Sequence, residues 1–196
     1  MAADAAKKRA TYQDVLDAPP NMLAEIIDGE LHLQPRPGGP HAEAASVLGM
    51  DIGSAFHRGR GGPGGWIILY EPELHLGEHV LVPDLAGWRR ARLPEVPSTP
   101  AFELCPDWAC EVLSPSTALV DRQKKLPIYA AEGVVHLCLV DPTARVVEVF
   151  RLDGDGYRFI MAHGKDEVVR LPPFEAIEIE LGALWPSILP DAGRGG

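Results

Sequence analysis

An α/β or α+β fold, a mixed β-sheet with helices on its faces, is what the sequence predicts. Three observations predict it. Helical and strand-like patterns follow one another in the order helix, strands, helix, strands. Short apolar runs such as Trp108–Leu113 and Val134–Val140 read as buried strands, and no apolar run approaches the length of a membrane span. Turn chemistry at Asp28-Gly29, Gly133, Asp141-Pro142 and Asp153–Gly156 separates the runs.

The elements follow in order. Thr11-Tyr-Gln-Asp14 resembles a capping box and opens a short helix that Pro19-Pro20 ends. Glu25–Leu33 reads as two short strands around the Asp28-Gly29 turn. From His41, apolar Ala45, Leu48, Ile52, Ala55 and Phe56 recur at helical spacing, so a helix runs until Gly59 with one face on the core. Gly59–Gly65 lacks the Lys-Ser/Thr ending of a phosphate loop and is a flexible connection. Trp66–Tyr70 is strand-like, Glu71-Pro-Glu73 interrupts it, and Val80–Trp88 forms another strand with Asp84 in its middle. Residues 91–106, with four prolines, make a surface loop. After the Trp108–Leu113 strand, Ser114-Pro-Ser-Thr117 turns the chain into a helix reaching about Ala131. Val134–Val140, Val146–Leu152 and Tyr157–Met161 complete the strands.

With 196 residues, 46% apolar and 23% charged, the chain suits one globular domain spanning 11–186, between a disordered tail at 1–10 and a C-terminal tail at 187–196. MAADAAKKRA has lysines but no apolar h-region, so it is not a secretory signal, and a cytoplasmic protein is expected. A net charge of -10 argues against coating nucleic acid nonspecifically, which draws on clustered Lys and Arg. It does not exclude an enzyme that cuts nucleic acid, whose metal site itself adds carboxylates. Cys105, Cys110 and Cys138 have no paired ligand spacing and read as reduced thiols, two of them in strand-like runs.

Glu111 sits in the midst of an apolar strand, where a carboxylate must be paired, protonated or bound to a metal. Asp107 lies four residues earlier in the same strand, roughly 13 Å away at about 3.3 Å per residue, too far to share one ion. Of the Pro-Asp pairs, Asp191 falls in the terminal tail, and Asp84 is left as the acid that a neighbouring strand could bring to Glu111. Two carboxylates converging in a sheet repel unless a divalent cation sits between them, as in phosphodiester-cleaving sites that hold magnesium. The alternative is that each acid pairs with an arginine or caps a loop. Asp121-x-x-x-Lys125-x-x-x-Tyr129 aligns three polar groups on one helix face, with Tyr129 expected to pack.

Glu25-Ile-Ile-Asp28-Gly29-Glu30-Leu31, Pro40-His41, Val82-Pro83-Asp84, Pro106-Asp107-x-x-x-Glu111–Thr117, Asp121-x-x-x-Lys125-x-x-x-Tyr129, Gly133-Val134 and Leu139–Pro142 appear in that order. Together they resemble the restriction-endonuclease family called the Uma-two group, of the PD-(D/E)xK nuclease superfamily. The resemblance runs from about Thr11 to Pro186. It implies a restriction-endonuclease-like core and magnesium-dependent, or manganese-dependent, hydrolysis of phosphodiester bonds in DNA. Carried over, Asp84 matches the aspartate of the Pro-Asp motif, Glu111 the second acid, and the backbone carbonyl of Val112 completes the metal ligands. The superfamily lysine usually follows the second acid by two residues, where this chain has Leu113; the family places it on the next helix, at Lys125. The expected catalytic set is Asp84, Glu111 and Lys125, with Glu30, His41 and Lys124 as accessory candidates. For His41 a helix-end role without chemistry is also open.

The expected partner is nucleic acid, with a homodimer because cutting a duplex needs two active sites. A second expectation is a catalytically inactive module that binds or scaffolds on the nuclease fold, in keeping with the acidic balance and the missing in-strand lysine. A third, a cysteine hydrolase built on Cys110, has only residue identity behind it.

Overall fold

The computed structural model describes residues 9–185, so most of the two expected tails lies outside the described residues. Arg9 and Ala10, the last residues of the expected N-terminal tail, are instead tied down by bonds to Glu78 and to the Gly29 carbonyl. Helix α1 (Tyr12–Leu16) carries the Thr11/Asp14 capping box. Strands β1 (Met22–Ile27) and β2 (Glu30–Pro35) form the expected hairpin, with Asp28 and Gly29 both left-handed at φ 54° and 76°. Helix α2 (Gly39–Ile52) runs on into a π-helical turn, Gly53–His57.

Two sheets organise the rest. β4 (Glu73–Leu76), β5 (His79–Leu81) and β7 (Ala101–Phe102) join the hairpin in the order β2-β1-β5-β4-β7. β3 (Trp66–Tyr70), β6 (Leu85–Arg89), β8 (Trp108–Val112), β9 (His136–Asp141), β10 (Val146–Asp153) and β11 (Gly156–Gly164) form a six-stranded sheet, β11-β10-β9-β8-β6-β3, in which β8 and β9 are parallel. The sheet is mixed, as the sequence predicts. Between β8 and β9 the chain crosses through α3 (Ala118–Val120), a π-helical turn at Asp121–Lys125 and α4 (Leu126–Ala131). Near the C-terminus, β12 (Val168–Val169) pairs with β13 (Ile179–Glu180). No helix among the described residues is long and apolar enough to cross a membrane.

Side-chain alternation along β8 divides two cores. Trp108, Cys110 and Val112 join α2 and Phe174 on one face of the large sheet. Ala109 and Leu113 face the other way, onto Ile27, Leu74 and Leu81 of the smaller sheet and Tyr129 of α4. Glu111 shares that second direction. The first core closes over Gly87 of β6, where an added Cβ would sit 2.9 Å from Ile68 and 3.3 Å from both Trp66 and Trp108. Gly87→Ala is therefore expected to destabilise the fold by about 1–3 kcal/mol through overpacking, read by urea denaturation.

The structure corrects the expectation of one strand across Val80–Trp88. Leu81 ends a strand of one sheet and Leu85 begins a strand of the other, so Asp84 lies in the link between them rather than mid-strand. Pro83, which has no N–H to give a ladder, is the physical reason for the break. β4, β7, β12 and β13 were not foreseen; β7 sits inside the proline-rich loop. The crossover helix is also less regular than its sequence spacing suggests. Leu126 N–H bonds to the Asp121 carbonyl, five residues back, just before Pro127 removes the next donor and crowds the carbonyl of Gln123.

Candidate functional site

Strand register brings the acids together. β6 runs antiparallel to β8 with Leu85 opposite Cys110, so one further step sets Asp84 beside Glu111 on the face away from Cys110. The Val112 N–H donates to Asp84 Oδ2 at 2.7 Å and holds the carboxylate there. Both acids line a cavity of about 180 Å³, together with His41, Val112, Asp121 and Lys125.

Lys125 lies at the centre of a buried charge cluster. Its Nζ stands 2.9 Å from Glu25 Oε1, 3.4 Å from Glu111 Oε1 and 3.4 Å from Asp121 Oδ1. Glu25 comes from β1, so the smaller sheet contributes to a site built on the larger one. Its Oε1 also accepts the Val82 N–H at 2.8 Å, and its Oε2 accepts Gln34 Nε2 at 3.1 Å. Tyr129, one turn beyond Lys125, donates its hydroxyl to Glu111 Oε1 at 2.6 Å. The tyrosine therefore packs and also bonds to the acid.

Burial and the crowding of like charge govern the electrostatics. Burial pushes the Glu111 carboxyl well above the usual range against the pull of Lys125, with Asp121, Asp84 and Glu25 adding to the rise. Burial likewise raises Asp121, again opposed by Lys125. For Lys125 burial acts to discharge the amine, but Glu111, Glu25 and Asp121 outweigh it and hold it protonated well above the ordinary range. His41, in the first turns of α2, places Nε2 3.2 Å from Asp84 Oδ1. Burial lowers its pKa and Asp84 raises it, for a net rise. Its Nδ1 is buried and has no hydrogen-bond partner among the described residues.

The other expected groups lie elsewhere. Glu30 and Lys124 face one another at 4.0 Å on half-exposed side chains, and neither lines the cavity. Lys124 adjoins Lys125 in sequence, which on a helix turns it about 100° away. Asp107 is occupied by Arg92 at 2.9 Å and by the Arg89 N–H at 2.8 Å. No guanidinium pairs with Asp84 or Glu111 among the described residues, and Arg36 on the cavity wall pairs with Glu71 at 3.0 Å. Cys110 is fully buried in the core on the far side of β8, opposite Cys138, and burial raises its thiol well above the ordinary range. A protonated thiol facing away from the cavity does not serve as a nucleophile.

Among the described residues no three His, Cys, Asp or Glu side chains form a ready-made metal cage. Magnesium asks for less, one or two carboxylates with waters and substrate phosphates filling the remaining positions. Asp84 and Glu111 on one cavity wall, within an excess of buried negative charge, fit that requirement.

Residues 10–183 match the family model Uma2, described as "Putative restriction endonuclease". The chain belongs to the Uma2 family. A solved structure of a "putative nuclease belonging to DUF820" from Anabaena variabilis ATCC 29413 is similar, with a TM-score of 0.73 and 24% identity over 90% of this chain and 97% of that one. That likeness shows a shared fold. No curated protein matches the chain. Membership of Uma2 supports a nuclease.

Of the acids around Lys125 in this Uma2 chain, Glu25 was not singled out by sequence reasoning, and Asp121 was placed on one helix face with Lys125 and Tyr129 but given no role. A signal existed for each. Glu25 interrupts the apolar run Met22–Ile27 just as Glu111 interrupts its own strand, and Asp121 stands four residues before Lys125.

Proposed function

We propose that this chain is a metal-dependent endonuclease that hydrolyses phosphodiester bonds in DNA. Magnesium, or manganese in its place, would be held by Asp84, Glu111 and the backbone carbonyl of Val112. The observation that supports this best is the adjacent register of Asp84 and Glu111 on one cavity wall, with the Lys125 ammonium against Glu111. Bound there, the ion would polarise the scissile phosphate and acidify a water molecule.

The protein's own groups prepare that site. The Val112 N–H and His41 hold Asp84 in place. Lys125 and Tyr129 both engage Oε1 of Glu111, so its other oxygen is the one that would meet the ion. Lys125, kept charged by three carboxylates, supplies a fixed positive potential for the charge that develops on the phosphoryl oxygens. A homodimer with two such sites would cut both strands.

One observation favours the second reading, a binding or scaffold module without turnover: Lys125 is engaged by three acids at once. Metal dependence separates the two. A nuclease should nick duplex DNA in magnesium or manganese, stop when a chelator is added, and give a saturable binding heat on manganese titration. A protein that binds DNA in a gel shift, takes up no manganese and leaves the DNA intact would be the inactive module.

A further inference from the structure

We infer that Glu25 is the positioning residue of this site, holding the lysine and the metal-binding aspartate in register with one another; this rests on the nuclease reading above. Glu25 is fully buried, yet it stands in the smaller sheet, outside the segments that carry Asp84 and Glu111. One of its oxygens does two things: Oε1 takes the Lys125 ammonium at 2.9 Å and the Val82 N–H at 2.8 Å. Val82 opens the Val82-Pro83-Asp84 link, so the atom that anchors the lysine also anchors the segment delivering Asp84. Its other oxygen is fixed by Gln34 Nε2 at 3.1 Å from the neighbouring strand, which sets the orientation of the carboxylate.

Pure structural stability does not call for this arrangement. A buried carboxylate inside an apolar strand is expensive, and well-packed apolar residues in place of the whole charged cluster are often as stable or more so. What Glu25 supplies is geometry. Asp84 sits in the link between the two sheets, where its carbonyl takes the Glu71 N–H at 3.1 Å but Pro83 before it offers no donor, and Lys125 sits in a widened helical turn, so regular backbone structure alone places neither group. Glu25 joins these two irregular segments. Partners of this kind, behind the groups that touch a metal or substrate, are typically worth about 10–100-fold in metal affinity or activity.

The experiment compares full-length wild type with Glu25→Gln, which keeps shape and an acceptor but removes the negative charge facing Lys125. Three readouts are taken alongside thermal unfolding: manganese affinity by calorimetry, kcat and KM on duplex DNA, and the 15N-labelled Lys125 ammonium signal in metal-free protein. The expected result is a folded variant with manganese affinity and kcat each lowered about 10-fold or more, KM for DNA unchanged, and the Lys125 signal shifted or lost to exchange. If Glu25→Gln fails to fold, Glu25→Asp, which draws the charge back by one methylene, serves the same comparison with the same expected split. A variant that matches wild type within about twofold in affinity and kcat, or that loses DNA binding instead, overturns the positioning role and leaves the nuclease reading standing. Wild type that neither binds manganese nor cuts DNA overturns both.

Discussion

Lys125→Met is expected to destabilise the protein by about 3–5 kcal/mol, the range seen when one partner of a buried ion pair is removed and the other is left stranded. Methionine can fill the volume of the lysine stem, so the loss is electrostatic. Three buried carboxylates, Glu25, Glu111 and Asp121, then face one another with no cation between them. The variant can fold only by protonating some of them, which gives its stability a pH dependence of known sign. A carboxyl whose folded pKa is raised above its unfolded value binds protons more tightly when folded, so stability falls as pH rises from the unfolded value towards the folded one. Glu111 already shows such a rise from its ordinary 4.5, and without Lys125 the rise is larger. The deficit should therefore be small below about pH 4.5 and reach its full size above the raised value. Urea denaturation at acidic and at mildly alkaline pH, in chelator, measures it. A variant within about 1 kcal/mol of wild type at both would mean that the cluster is hydrated and that Lys125 does not neutralise it.

Asp84→Asn is expected to lower DNA cleavage by about 10²–10³-fold, the usual scale for losing one preorganised electrostatic group at a reacting centre. Asparagine keeps an oxygen that can accept the Val112 N–H, now at 2.7 Å from Asp84 Oδ2, so the link should hold its place and stability should change little. What disappears is the charge facing the cavity. Manganese affinity should fall together with kcat, and adding Glu111→Gln should cost little more, because the two acids act on one ion as a unit. Cleavage retained within about fivefold in Asp84→Asn would contradict the assignment of Asp84 as a metal ligand.

Much of the fold could be read from local chemistry. The Asp28-Gly29 hairpin, the capping box at Thr11 and the apolar strands around Glu111 and Leu139 each depend on residues close in sequence, and the structure has all of them. The break at Pro83 was misread because an apolar run looks alike whether it stays in one sheet or passes between two. Glu25 was overlooked for a related reason. Its partners Lys125 and Val82 are distant in sequence, and nothing nearby announces that three acids share one ammonium.

The amino-acid order by itself determined the mixed α/β class, the order of most elements and the presence of a carboxylate at Glu111 that must find a partner, because these follow from propensity, periodicity and the cost of burying charge. Only the tertiary structure decided which partners it finds. The register of β6 against β8 places Asp84 beside it, and the smaller sheet packed across the larger one delivers Glu25 to Lys125. Those distances depend on how two sheets and a helix meet, and no stretch of chain contains that information alone.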